Sequence, residues 1–137
     1  MMDEVNGFVE TSWDALETAR VLYQAGRAAP AVYYACHTFE MAGNAFAAAR
    51  GVDLQPDHSN LGRFKTQYHQ AGLQQSLDPL MRRVQALRNA SRYPKRVTPG
   101  SDQLILPHER ISSAEADDLM RRVNGALYDV IFPNLWT

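Results

Sequence analysis

The residues best suited to chemistry in this 137-residue chain form a basic window: Arg82, Arg83, Arg88, Arg92, Lys95 and Arg96, with no acidic residue between them. Arg88 and Arg92 are four apart, so on a helix they share one face. Guanidiniums in such a pair grip phosphate oxygens in a planar, bidentate manner. Tyr93 beside them offers a ring on which a base can stack. The same two arginines also suit a structural role, paired with carboxylates of an acidic first helix such as Asp14 or Glu17. Lys95 and Arg96 carry the cluster past Pro94, as a solvated loop or as further phosphate contacts whose hold weakens with salt.

The net charge of −1 hides a strong asymmetry. Residues 1–57 carry a net charge of −5, residues 58–110 carry +6, and residues 111–137 carry −2. A basic middle segment suits an anionic partner, or a contact with the acidic segment that precedes it.

The other reactive side chains have quieter explanations. His37 and Glu40 are three apart, but a metal site would want more ligands, and the Glu-x-x-His order of di-iron bundles is reversed; no metal and no cofactor is expected. Glu40 is expected to make a buried polar contact. Cys36, the single cysteine, lies in an apolar stripe and reads as a structural thiol. His58 suits a local cap. Arg63 and His69 have a spacing that chance alone produces in an arginine-rich chain. His108 stands out as the histidine free to swing from a loop toward Arg88 and Arg92. Glycine-rich phosphate loops, nucleophile elbows and CxxC pairs are absent from the sequence.

Helices must position these residues. A hydrophobic share of 45% with 21% charged is that of a globular chain, and the length favours one domain, 1–137. Phe8, Val9, Leu16, Ala19, Leu22 and Tyr23 predict a first helix from about Val5 to Gln24, stopped at Ala25-Gly26. Val32, Ala35, Cys36, Phe39, Gly43, Phe46 and Ala47 predict a second, from near Pro30 to Gly51. Its many small residues allow close approach and mark it as the central helix. Leu61, Phe64 and Tyr68 predict a short third helix after Pro56, capped by Asp57 or Ser59 and ending at Ala71-Gly72. Ser76 fits the N-cap of a fourth, with Asp78 and Pro79 in its first turn and Leu80, Met81, Val84, Leu87 and Ser91 buried; Pro94 stops it. Residues 94–111 form a long connection in which 103–106 suit an extended piece. Ser112 and Glu115 fit a capping box for the last helix, which runs through Leu119, Val123 and Leu127 to Pro133. Trp136, with Phe132 and Leu135, packs on the bundle or forms a dimer contact. No convincing strand pattern is present. The expected fold is all-α, an antiparallel bundle of four long helices plus a short one. The longest apolar run, residues 31–36, is far short of a membrane span, and no signal peptide is visible, so a cytoplasmic protein is expected.

Three stretches, in this order, resemble the HEPN domain family. The first is Ala19 to Gly26 followed by Ala31 to Ala42, similar to a family pattern in which a glycine turn joins two helices and a glutamate, here Glu40, follows. The second is His58-Ser59-Asn60-Leu61. The third is Ala90-Ser91-Arg92-Tyr93-Pro94, similar to the family's "aRYP", followed by the Ser-x-x-Glu-Ala of the last helix. The resemblance covers about residues 10–132. It implies a HEPN-like bundle that forms homodimers and serves as a ribonuclease or toxin, as a nucleotide-binding or assembly module, or as the partner of a small nucleotidyltransferase. Ribonuclease members carry Arg, four to six residues, then His. Arg88-Asn89 matches the start of that motif, but Tyr93 stands where a four-residue spacing would place the histidine, and a phenol with an ordinary pKa near 10 is a poor proton shuttle. The expectation is a non-catalytic domain binding a nucleotide, RNA or a protein partner through Arg88, Asn89, Arg92, Tyr93, Lys95 and Arg96. The alternative is an atypical ribonuclease using Arg88 with Tyr93 or His108.

Overall fold

The computed structural model describes residues 2–57 and 59–137. The helices are α1 (Met2–Gln24), α2 (Ala28–Ala49), α3 (Asn60–Gln70), α4 (Gln74–Ala90), α5 (Pro107–Arg110) and α6 (Ser113–Ala126). A two-residue ladder, β1 (Lys95–Arg96) with β2 (Leu104–Ile105), sits between α4 and α5. The fold is an all-α bundle, and among the described residues no helix is long and apolar enough to cross a membrane.

Helix α2 is the hub, packing on α1, α3, α4 and α6. Every residue of its expected stripe, Val32 to Ala47, is buried. Gly43 shows why small residues matter there. A Cβ on Gly43 would lie 2.5 Å from Cδ2 of Phe64, so only glycine lets α3 lay that ring against the helix. The Phe64 ring in turn meets Phe39, Phe46 and Tyr68 edge-on, at centroid distances of 5.5, 5.5 and 5.0 Å.

Helices α1, α2 and α3 end in the same glycine turn. After α2, Gly51 takes a φ of +75°, its N–H bonds Ala48 O at 2.9 Å, and Val52 N–H bonds Ala47 O at 3.1 Å. These bonds satisfy carbonyls that the helix end would otherwise leave open. The glycine stops read from the sequence are therefore real.

Several boundaries differ from expectation. Helix α1 starts at Met2 rather than Val5. Helix α4 starts at Gln74, not after Ser76, and Pro79 lies inside it. The turn at Gly72 reverses the chain within two residues, with Leu73 N–H bonding Tyr68 O at 2.9 Å, so the next helix begins at once. An early start also buries Leu77, which outweighs the one backbone bond that Pro79 removes. At α3 the cap position is Ser59, but its side chain makes no capping bond; Asp57 instead accepts from the Ser59 N–H at 2.9 Å.

The 94–111 connection is more ordered than a plain loop. Leu104–Ile105 is the expected extended piece, and Lys95–Arg96, read as solvated loop, is its antiparallel partner. Arg96 further bonds Ser101 O across the hairpin. The capping box at α6 is complete, with Glu115 N–H to Ser112 Oγ and Ser112 N–H to Glu115 Oε1, both at 3.1 Å. The last helix does not run unbroken to Pro133. It widens into a π turn at Leu127–Ile131 and tightens into a 3-10 turn at Phe132–Asn134. There Trp13 of α1 packs on Tyr128 and Phe132, Leu135 is buried, and Trp136 is exposed.

Candidate functional site

One face of α2 is polar in a helix whose remaining residues are mostly apolar. Tyr33, His37, Glu40 and Asn44 recur at helical spacing, and together they form one wall of a cleft of about 590 Å³. Glu4 and Phe8, four apart near the start of α1, line a second side. Arg88 and Arg92 close it from α4 and the turn after it, and Leu54 to Asp57 bound it from the connection to α3. That connection is held by a reciprocal amide clamp, in which Gln55 N–H donates to Asn60 Oδ1 at 3.0 Å and Asn60 Nδ2 donates to Gln55 O at 2.6 Å. The volume is that of a small-molecule site.

The two cleft arginines are in different situations. Arg88 Nε bonds Glu40 Oε1 at 2.8 Å, with both side chains only 17% exposed. Its carboxylate partner is thus on α2; Glu17 pairs with Arg20 of its own helix. The buried polar contact expected of Glu40 is this one. Arg92 makes no ion pair with any described residue and is exposed at the cleft edge. Its guanidinium lies 5.3 Å from the Tyr33 ring centroid and 5.2 Å from that of Tyr93, so two aromatic faces hold a cation whose hydrogen-bond donors stay available.

The rest of the basic window does not converge. Asn89 is exposed, and its carbonyl accepts the N–H groups of Arg92 (3.2 Å) and Tyr93 (2.9 Å), which closes the turn after α4. Lys95 and Arg96 belong to the hairpin and do not line the cleft. Arg83 pairs with Glu115 at 3.4 Å.

Histidine placement departs from the sequence reading. His108 lines a separate hollow beside the start of α2 and lies outside the cleft. Among the described residues, the histidine that shares the cleft with Arg88 and Arg92 is His37. Arg63 and His69 are not brought together: Arg63 bonds Ser59, while His69 Nε2 lies 2.8 Å from Asp78 Oδ1. His58 lies outside the described residues. Cys36, at the cleft floor, is 1% exposed, and its burial, reinforced by the Glu40 charge, pushes the thiol up to about 12. A thiol held protonated this way is no nucleophile at neutral pH. Among the described residues, no group of three or more His, Cys, Asp or Glu side chains could hold a metal ion.

The residues that sequence reasoning missed are Tyr33 and Asn44. Their signal was present, since 33, 37, 40 and 44 are polar or aromatic positions spaced three or four apart, on one face of the helix. Comparison with known proteins adds no relative to this geometry: no family model, no curated protein and no solved structure matches the chain.

Proposed function

We propose that the chain is a HEPN-like, non-catalytic domain that works as a homodimer and holds a phosphate-bearing ligand, a nucleotide or the end of an RNA strand, in the α2–α4 cleft. The observation that carries this reading is Arg92, a cation with no carboxylate partner among the described residues, braced by Tyr33 and Tyr93 at the rim of a cleft of nucleotide size. Arg88 stands deeper with Glu40, so the site has one available cation and one held in reserve by its pair. The test is a titration with inorganic tripolyphosphate and a short RNA at two salt concentrations. Binding should fall with salt and weaken about tenfold or more in Arg92→Ala, the loss expected for one charge-assisted contact. Unchanged binding in Arg92→Ala overturns the site. Light scattering at twice the 15.4 kDa chain mass supports the dimer, and a 15.4 kDa species rejects it.

A second reading, an atypical ribonuclease, is favoured by His37 standing in the cleft with both arginines. It requires RNA cleavage that His37→Ala abolishes; intact RNA at high protein concentration rejects it.

A further inference from the structure

Among the described residues, eight large apolar or aromatic side chains are exposed, and half of them fall within fourteen consecutive positions. These are Tyr93, Val97, Leu104 and Leu106, each between 39% and 51% exposed. Apolar side chains scattered singly over a surface need no explanation, but a concentration on one small element does. The element is the β1–β2 hairpin with its flanks. Its strands pair with each other and pack little on the helices, and every residue from Arg92 to Gly100 is exposed. Core packing therefore does not account for these side chains.

The register sorts them. Arg96 stands opposite Leu104, so the two share a face of the ladder. The chain is still extended at Leu106, with φ −78° and ψ 155°, which returns Leu106 to the face of Leu104. Lys95, opposite the half-buried Ile105, adds a second exposed cation. From Arg92 through Leu106 there is one carboxylate, Asp102, against three cations, Arg92, Lys95 and Arg96. Leucines flanked by basic side chains on a projecting ridge match a surface that is anionic outside and apolar just beneath.

Other occupants fit this ridge less well. A ladder of two residues on each strand offers too few backbone groups to template an added strand. Leu104 and Leu106 line neither the α2–α4 cleft nor the hollow at His108, so they are not the wall of a peptide groove there. A two-fold contact between two hairpins would bring Lys95 and Arg96 of both copies together, like charge against like. A nucleic acid would take the charges but leave the leucines in water, since aliphatic side chains offer no ring for stacking.

We propose that the hairpin docks the protein on an anionic lipid bilayer. Leu104 and Leu106 enter the boundary between headgroups and acyl chains, and Lys95 and Arg96 meet the anionic headgroups. The docking surface is separate from the cleft, which none of these four residues lines.

The experiment sediments the full chain with vesicles of phosphatidylcholine and phosphatidylserine in equal parts, and with phosphatidylcholine alone. The chain should pellet with the mixed vesicles, less so as salt rises, and stay in solution with phosphatidylcholine alone. Lys95→Gln should weaken the binding about fivefold, the share of one basic residue near an anionic surface. Leu104→Ser with Leu106→Ser should weaken it about tenfold or more. All three side chains are exposed, so melting temperatures should stay at that of the parent. A second measurement uses the parent chain: on mixed vesicles, hydrogen exchange should slow in residues 95–106 and stay unchanged in α2. Failure to pellet with mixed vesicles, full binding by a folded Leu104→Ser, Leu106→Ser chain, or slowed exchange confined to residues outside the hairpin overturns the proposal. Binding of soluble polyglutamate at the hairpin without vesicle binding also overturns it, and assigns the surface to an acidic protein segment.

Discussion

Arg88 and Glu40 join α4 to α2 through an ion pair of 2.8 Å in which neither side chain is more than 17% exposed. Removing Arg88 takes its partner from the Glu40 carboxylate beside the core. Arg88→Ala should cost about 2 kcal/mol, between the values for exposed and fully buried pairs. Urea denaturation of Arg88→Ala, Glu40→Ala and the double variant measures it. The double variant should lose less than the two single losses together, and additive losses would show that the pair is not coupled.

Gly43→Ala would ordinarily help a helix by about 1 kcal/mol. Here the new Cβ meets the Phe64 ring at 2.5 Å, a distance no side chain tolerates. Overpacking of this kind costs about 1–3 kcal/mol and should reverse the sign. Thermal melts should therefore show Gly43→Ala below the parent, and pairing it with Phe64→Leu should restore part of the loss. A stabilised Gly43→Ala would mean that α3 can move aside freely.

Asp78 accepts from Tyr68 Oη at 2.5 Å and lies 2.8 Å from His69 Nε2. The Tyr68 hydrogen bond first, then His69, holds its carboxyl below the usual range. A depressed carboxyl stabilises the fold fully above its unfolded pKa of about 4, and that contribution is lost as pH falls through the folded value. Burial, with the Asp78 bond, pushes the Tyr68 hydroxyl upward, so its contribution is present below its unfolded pKa of about 10 and is lost as pH rises beyond. Melting temperature against pH should droop at both edges. Asp78→Asn should flatten the acid edge, and an unchanged acid edge would remove Asp78 from this role.

Arg50 ties the last turn to α2. Its guanidinium donates to Phe46 O at 3.3 Å, Leu135 O at 3.2 Å, Asn134 O at 2.9 Å and Thr137 O at 3.3 Å, and stacks 3.6 Å over the Phe46 ring. Arg50→Ala should cost about 2 kcal/mol, the range for hydrogen bonds to a charged group. It should also speed hydrogen exchange in residues 132–137 more than in α3. Uniform acceleration would show a loss of global stability with no local clamp.

Much of the fold is legible because helix periodicity and punctuation are local. The α2 stripe, the stops at Gly26, Gly51 and Gly72, and the Ser112–Glu115 box depend on residues within a few positions of one another. The start of α4 is not legible in that way. Ser76 and Pro79 carry the usual signs of a first turn, but burial of Leu77 and the reversal at Gly72 decide the boundary, and both are tertiary. The hairpin was hidden for a related reason, since a two-residue ladder offers no alternation to detect. Within the site, Arg88 and Arg92 could be picked out as charges. Which histidine joins them depends on how α4 crosses α2, and that crossing selects His37 over His108.

The π turn at Leu127–Ile131 sets the rotational phase of everything after it. A π turn holds one residue more than the α register needs, as a single-residue insertion would leave it. Winding that turn into α-helix without removing a residue would swing the following residues by about 100°. Leu135 would leave the core, Phe132 would leave Trp13, and the carbonyls of Asn134 and Leu135 would turn away from Arg50. The irregularity therefore acts as a phase shifter, and the Arg50 clamp has meaning only while the turn stays wide.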